Sequence, residues 1–156
     1  MKNMNIKQAG FTLIELVMVI VILGILSAFA LPRFADLGSD ARQAVLDGAL
    51  GSIRAASAVV HSAALADGTA NLTEIGLEGV NVQIINNYPE AHADGIIVAA
   101  QIDTADFTLS AGGTAADSVI TIDVIGATTP ATCRISYTAA GAGVTPTIEL
   151  VDNAGC

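Results

Sequence analysis

From Phe11 to Leu31 the chain runs through twenty-one residues that carry a single charge, Glu15. At 1.5 Å per residue a helix of that length covers about 31 Å, the thickness of a bilayer's hydrocarbon core. The ten residues before it are polar and carry Lys2 and Lys7. Basic residues on that side hold the leader in the cytoplasm and send the rest of the chain across the membrane. A carboxylate five residues into such a segment costs a few kcal/mol unless it has a partner, on the order of 3 on insertion scales. Cleavage between Gly10 and Phe11 supplies one, because the new α-amino group lies one helical turn from Glu15. The competing reading is an ordinary secretory signal cut after Ser27-Ala28-Phe29-Ala30.

Beyond the apolar run the chain changes character. Pro32 has no N–H and its ring clashes with the preceding turn, so a kink is expected there. Phe34, Leu37, Ala41, Val45, Ala49, Ile53, Ala56, Val60 and Ala64 recur at three- and four-residue spacing, which predicts one amphipathic helix face. Asp67-Gly68 ends the helix, giving one element from about residue 11 to 66. Residues 69–95 read as irregular, with Val80, Val82 and Ile84 as a short edge strand. Residues 95–102 read as a short helix. Ser118–Ile125, Thr132–Thr138 and Val144–Val151 alternate as strands separated by loops of hairpin length. The expected fold class is α+β: a long N-terminal helix, its first half transmembrane, with an antiparallel sheet on its second half.

Charge and composition exclude several functions. Beyond residue 10 the only basic residues are Arg33, Arg42, Arg54 and Arg134, against fifteen acidic ones. Such a surface repels phosphate backbones, so no nucleic-acid partner is expected. Trp is absent and charged residues make up 13% of the chain. No phosphate-binding loop or nucleophile–base arrangement is present, so the chain reads as a non-enzyme without cofactors. His61 and His92 lack ligand spacing, and no metal site is expected. Asp103 and Asp106 read as a solvated acidic turn ahead of a calcium site. Cys133 and Cys156 are the two cysteines, and in an exported chain they have one way to pair.

Gly10-Phe-Thr-Leu-Ile-Glu15, behind a short basic leader and ahead of an unbroken apolar helix, resembles the class III signal of type IV pilins. Pro32 and Gly24 fall where type IVa pilins bend or loosen their long helix. The resemblance implies three parts: a leader, residues 1–10; an apolar assembly helix, residues 11–34; and a globular pilin domain, residues 35–156. It implies cleavage after Gly10 and N-methylation of Phe11 by the prepilin peptidase, and pairing of Glu15 with the Phe11 amine of a neighbouring subunit. It also implies that the Cys133–Cys156 disulfide bounds a surface-exposed C-terminal region. Implied partners are further pilin copies, the peptidase, the inner-membrane assembly machinery and the membrane itself. The implied location is the inner membrane of a Gram-negative cell, then an extracellular pilus.

Within the family, Leu31-Pro-Arg-Phe34, Ser39-Asp-Ala-Arg42, Tyr88-Pro89 and the late cysteine pair most resemble the mannose-sensitive haemagglutinin (MSHA) kind of major pilin. That likeness implies surface attachment, early biofilm formation and a ligand on host or abiotic surfaces. The alternatives are a type II secretion pseudopilin, a minor pilin, and a membrane-anchored extracytoplasmic binding domain.

Overall fold

The computed structural model describes residues 10–69, 71–152 and 154–156. Lys2 and Lys7 lie outside them. Contacts divide the chain into two units, Met1–Gly38 and Ser39–Cys156. One helix, α1, spans Leu13–Asp67 and contains Pro32. It ends as its sequence demands: Gly68 takes φ +71°, a left-handed conformation that costs glycine little.

In the first unit the apolar stretch lies exposed among the described residues. Side chains from Leu13 to Leu26 are exposed, and Phe11 is 90% exposed. In the second unit α1 turns one face to a core. Leu46, Ala49, Leu50, Ile53, Ser57, Val60 and Ala64 are buried. This face begins later than the sequence pattern proposes and is offset by one residue at its start. Phe34, Leu37, Ala41 and Val45 are exposed, while Leu46, next to Val45, is fully buried. Alternative 3.6-residue stripes are hard to separate where Ala, Gly and Ser recur on every side of the helix.

The rest of the second unit holds two antiparallel sheets. Strands β1 (Glu74–Leu77), β2 (Val80–Ile85) and β3 (Tyr88–Pro89) form the first, in that order. The region expected to be irregular therefore holds three strands, and β2 is their centre, not an edge. Two-residue loops make this compact: Glu78-Gly79 joins β1 to β2 and Asn86-Asn87 joins β2 to β3. All four residues have positive φ, the conformation of a type I′ turn matched to strand twist. Strands β4 (Phe107–Ala111), β5 (Val119–Val124), β6 (Arg134–Thr138) and β7 (Thr147–Asp152) form the second sheet in sequence order. β4 was not expected. β7 begins three residues later than the sequence pattern proposes, after Pro146, which has no N–H to give a ladder. The short helix is present, shifted toward the N-terminus as a π-type turn at Ala93–Ile97.

The core of the second unit joins α1 to the four-stranded sheet. Leu46 and Ile53 pack in one cluster with Ile120, Ile122, Ile135 and Tyr137. Tyr137 is fully buried, and its hydroxyl donates to the Pro89 carbonyl at 2.7 Å. Burial pushes its ionisation well above the ordinary range, against a smaller lowering pull from the Ser57 hydroxyl on α1. One phenol thus ties the helix, the β3 loop and the second sheet together. Asn86 Nδ2 adds a 2.8 Å bond to the Ala140 carbonyl. His61 stacks on Tyr88 with ring centres 4.0 Å apart, and its Nδ1 lies 3.1 Å from the Asn87 carbonyl oxygen. These contacts give the helix histidine a structural task.

Glu90, next to Pro89, is 8% exposed and its Oε2 has no hydrogen-bond partner. Burial raises its pKa from the ordinary 4.5, against a smaller lowering pull from His92. The folded chain therefore keeps this proton to a higher pH than the unfolded chain. The associated stability is present below the unfolded value and is lost as pH rises through the folded one. Glu90→Gln keeps the shape without the ionisation. Its Tm in thermal melts is expected to exceed wild type at pH 7 and to match it near about pH 4.

Candidate assembly site

Thr12 sits immediately before the first residue of α1, and Glu15 is the third residue inside it. Glu15 N–H donates to Thr12 Oγ1 at 3.3 Å. In return Glu15 Oε2 accepts from Thr12 N at 3.3 Å and from Thr12 Oγ1 at 3.2 Å. This is a capping box, which satisfies donors that a helix N-terminus leaves open and sets a carboxylate at the positive end of the helix dipole. The bonds are long and exposed, so they bias the carboxylate without locking it. Sequence reasoning singled out Glu15 and passed over Thr12. The signal was present, since Thr-x-x-Glu ahead of an apolar run is the sequence form of this cap.

The other candidate residues lie apart from this cluster or lead into it. Gly10 and Phe11 precede the helix and are exposed. Gly24 is exposed within α1, and a Cβ there would meet nothing within 4 Å. Pro32 lies eight residues further on, so neither it nor Gly24 belongs to the Thr12–Glu15 cluster. By length and composition α1 can cross a membrane, and its most apolar window is 0% buried.

At the other end of the chain, Cys133 and Cys156 form the disulfide, with Cα atoms 4.9 Å apart and both residues buried. Cys133 does not lie on the middle strand as expected. It closes the short 3-10 turn Pro130–Thr132, one residue before β6. The clip is reinforced by main-chain bonds from Thr129 N to Gly155 O at 3.0 Å and from Gly155 N to Thr132 O at 2.9 Å. A Cβ on Gly155 would stand 2.0 Å from Thr132 Oγ1, so only glycine lets the two segments approach this closely. Arg42 on α1 donates through Nε to the main-chain oxygen of Cys156. Arg134 Nη2 donates to Asp123 Oδ2 at 3.0 Å across β5 and β6. Its Nε stands 2.8 Å from Oδ1 but is not aligned for a hydrogen bond, so that contact is one of charge.

Among the described residues no group of three or more His, Cys, Asp or Glu side chains could hold a metal ion. Asp103 instead caps its own turn, accepting from Ala105 N at 2.8 Å. The described residues offer a membrane-length apolar stretch with a carboxylate at its head and, in the second unit, a domain closed by a disulfide.

Residues 5–31 match the prokaryotic N-terminal methylation motif. The type IV narrow pilus major component PilA5 of Thermus thermophilus is 37% identical over 107 residues, spanning 69% of this chain and 90% of that protein. This chain belongs to the type IV pilin family. It is a structural protein of that family, and the α+β architecture above is a pilin architecture. No solved structure matches the pilin.

Proposed function

We propose that this pilin is the major subunit of a surface filament of the MSHA kind, made for attachment and early biofilm formation. The observation that carries the reading is the helix itself. Its first half is apolar and unpacked, with one carboxylate at its head. In a bundle of identical apolar helices, dispersion hardly distinguishes one axial register from another. A buried ion pair does, because every misregistered copy leaves a charge unpaired. Glu15, already held at the helix N-terminus by Thr12, is placed to accept the Phe11 amine of a neighbouring copy.

In this reading residues 1–10 are a leader removed by the prepilin peptidase, which also methylates Phe11. Residues 11–34 anchor the subunit in the inner membrane of a Gram-negative cell and then enter the filament. Residues 35–156 form its exterior. Gly24 and Pro32 weaken the helix where assembly bends or melts it. The similarity to a pilus major component supports the major-subunit role. A pseudopilin shares the same N-terminus and is the second reading.

The functional test deletes the chain and scores filaments by electron microscopy together with adhesion to a solid surface. Loss of both, restored by complementation, is expected; abundant filaments and normal adhesion without the chain would overturn the proposal. The processing step has its own test. Gly10→Val places a branched side chain at the scissile bond and is expected to leave full-length precursor in the membrane. A mature-length N-terminus in that variant would refute the cleavage site.

A further inference from the structure

Two side chains of the second unit stand where the backbone favours other residues. Glu78 opens the β1–β2 turn at φ 49°, and Gln101 follows residues 98–100 at φ 54°. Both angles are left-handed, a region that suits glycine and asparagine and strains longer side chains. Strain of this kind clusters at ligand clamps, where a side chain is kept for what it holds. Neither side chain makes a hydrogen bond or ion pair with another described residue. Both line the same pocket.

That pocket, of about 470 Å³, lies between α1, the β1–β2 hairpin and residues 98–101. Sites that hold small organic molecules have volumes of about 300–1,000 Å³. The walls are aliphatic: Ala55 and Val59 from α1, Leu77 and Val80 from the hairpin, Val98 and Ala99 from the third side. No aromatic ring lines them, so a planar ligand finds nothing to stack on. Ser52 is also in the lining, but its hydroxyl donates to the Ala49 carbonyl at 2.9 Å. Glu78 supplies the one charge in the lining. Aliphatic walls with a carboxylate and an amide at their edge suit a flexible hydrocarbon body with a cationic, hydrogen-bonding head. The charge of the chain acts in the same direction. Beyond residue 10, fifteen acidic residues face four basic ones, a balance that draws cations and repels anions.

We infer that this pocket binds an aliphatic primary ammonium ion. The hydrocarbon chain lies against the valines and alanines, and the head donates to the Glu78 carboxylate and the Gln101 amide oxygen. An ammonium only donates and a carboxylate only accepts, so the pairing is chemically complete. The site belongs to the single subunit and does not depend on the filament reading. The probe is n-hexylammonium, titrated into the full chain in lipid nanodiscs and read by methyl NMR. Shifts of individual methyl groups report the pocket even when some amine enters the lipid. Saturable shifts are expected at Leu77, Val80 and Val98, with none at Val119 or Val144 outside the pocket. 1-Hexanol is expected to bind about tenfold more weakly, the worth of one charge-assisted hydrogen bond, and hexanoate not at all. Equal affinity for all three would overturn the inference, and so would the absence of saturable shifts with the amine.

Two variants locate the ligand. Ala55 is an exposed helix position, so Ala55→Leu is expected to keep the fold and to abolish the shifts by filling the pocket. Undiminished binding by that variant would place the ligand elsewhere and overturn the site. Glu78→Asn puts the residue that a type I′ turn prefers in place of the carboxylate. It is expected to raise Tm while hexylammonium binding falls about tenfold, the opposite signs that a strained binding residue requires. A lower Tm, or undiminished binding, would show that Glu78 serves the turn and not a ligand.

Discussion

Glu15→Ala is expected to insert in the membrane and to be processed at wild-type levels, yet to yield at least a hundredfold less filament when it is the only pilin present. Removing one partner of a buried ion pair costs about 3–5 kcal/mol, because the other charge stays buried and unpaired. Each 1.4 kcal/mol is about a factor of ten in an association constant. Insertion should improve slightly, since the variant no longer carries a carboxylate into the hydrocarbon. The same substitution also opens the capping box, because it removes the acceptor that Thr12 uses. Thr12→Ala separates the two effects. It removes the hydroxyl of the cap and leaves the carboxylate, at a cost of about 0.5–2 kcal/mol in local helix stability. The ion-pair account requires Thr12→Ala to assemble far better than Glu15→Ala. Equal loss in quantitative immunoblots of sheared filaments would assign the effect to capping.

The second large effect is expected from Cys133→Ser or Cys156→Ser. The disulfide closes a loop of 23 residues in sequence separation. Cross-linking a loop of that length stabilises the folded chain by about 3–4 kcal/mol in the chain-entropy model. A domain of this size has only about 5–15 kcal/mol in all. Both sulfurs are buried against the core cluster, so each serine also places a hydroxyl in an apolar site. The tail would then rest on the Thr129 and Thr132 main-chain bonds and on Arg42. Chemical denaturation of the chain in detergent is expected to show a midpoint loss corresponding to at least about 3 kcal/mol. A midpoint within experimental error of wild type would show that the clip is incidental to stability.

Much of this architecture is legible in the residues because single positions decide it. Gly68 stops α1, the apolar run sets its first half, and the alternation of Val119–Val124 and Arg134–Thr138 sets the inner strands of the second sheet. The elements that escape a sequence reading are those whose signal is divided among alternatives. The first sheet depends on Glu78 and Asn86 adopting positive φ, a conformation glutamate signals poorly and asparagine only weakly. β4 is five residues with one buried side chain, Phe107, too short for its period to stand out. The buried side of α1 is hard to place near Val45 because alanine and glycine fill both sides of that helix. At the assembly site the carboxylate announces itself by its cost in a membrane. Thr12 is easily overlooked because a cap is inconspicuous beside a charge.

The central claim is that this chain is cut at Gly10 and built into a surface filament. Intact mass and N-terminal sequencing of protein sheared from native cells test it most directly. The account predicts an abundant chain beginning at N-methyl-Phe11, one methyl group heavy and two hydrogens light for the Cys133–Cys156 disulfide. A chain that begins near Ala30, or one that keeps Met1, would contradict it.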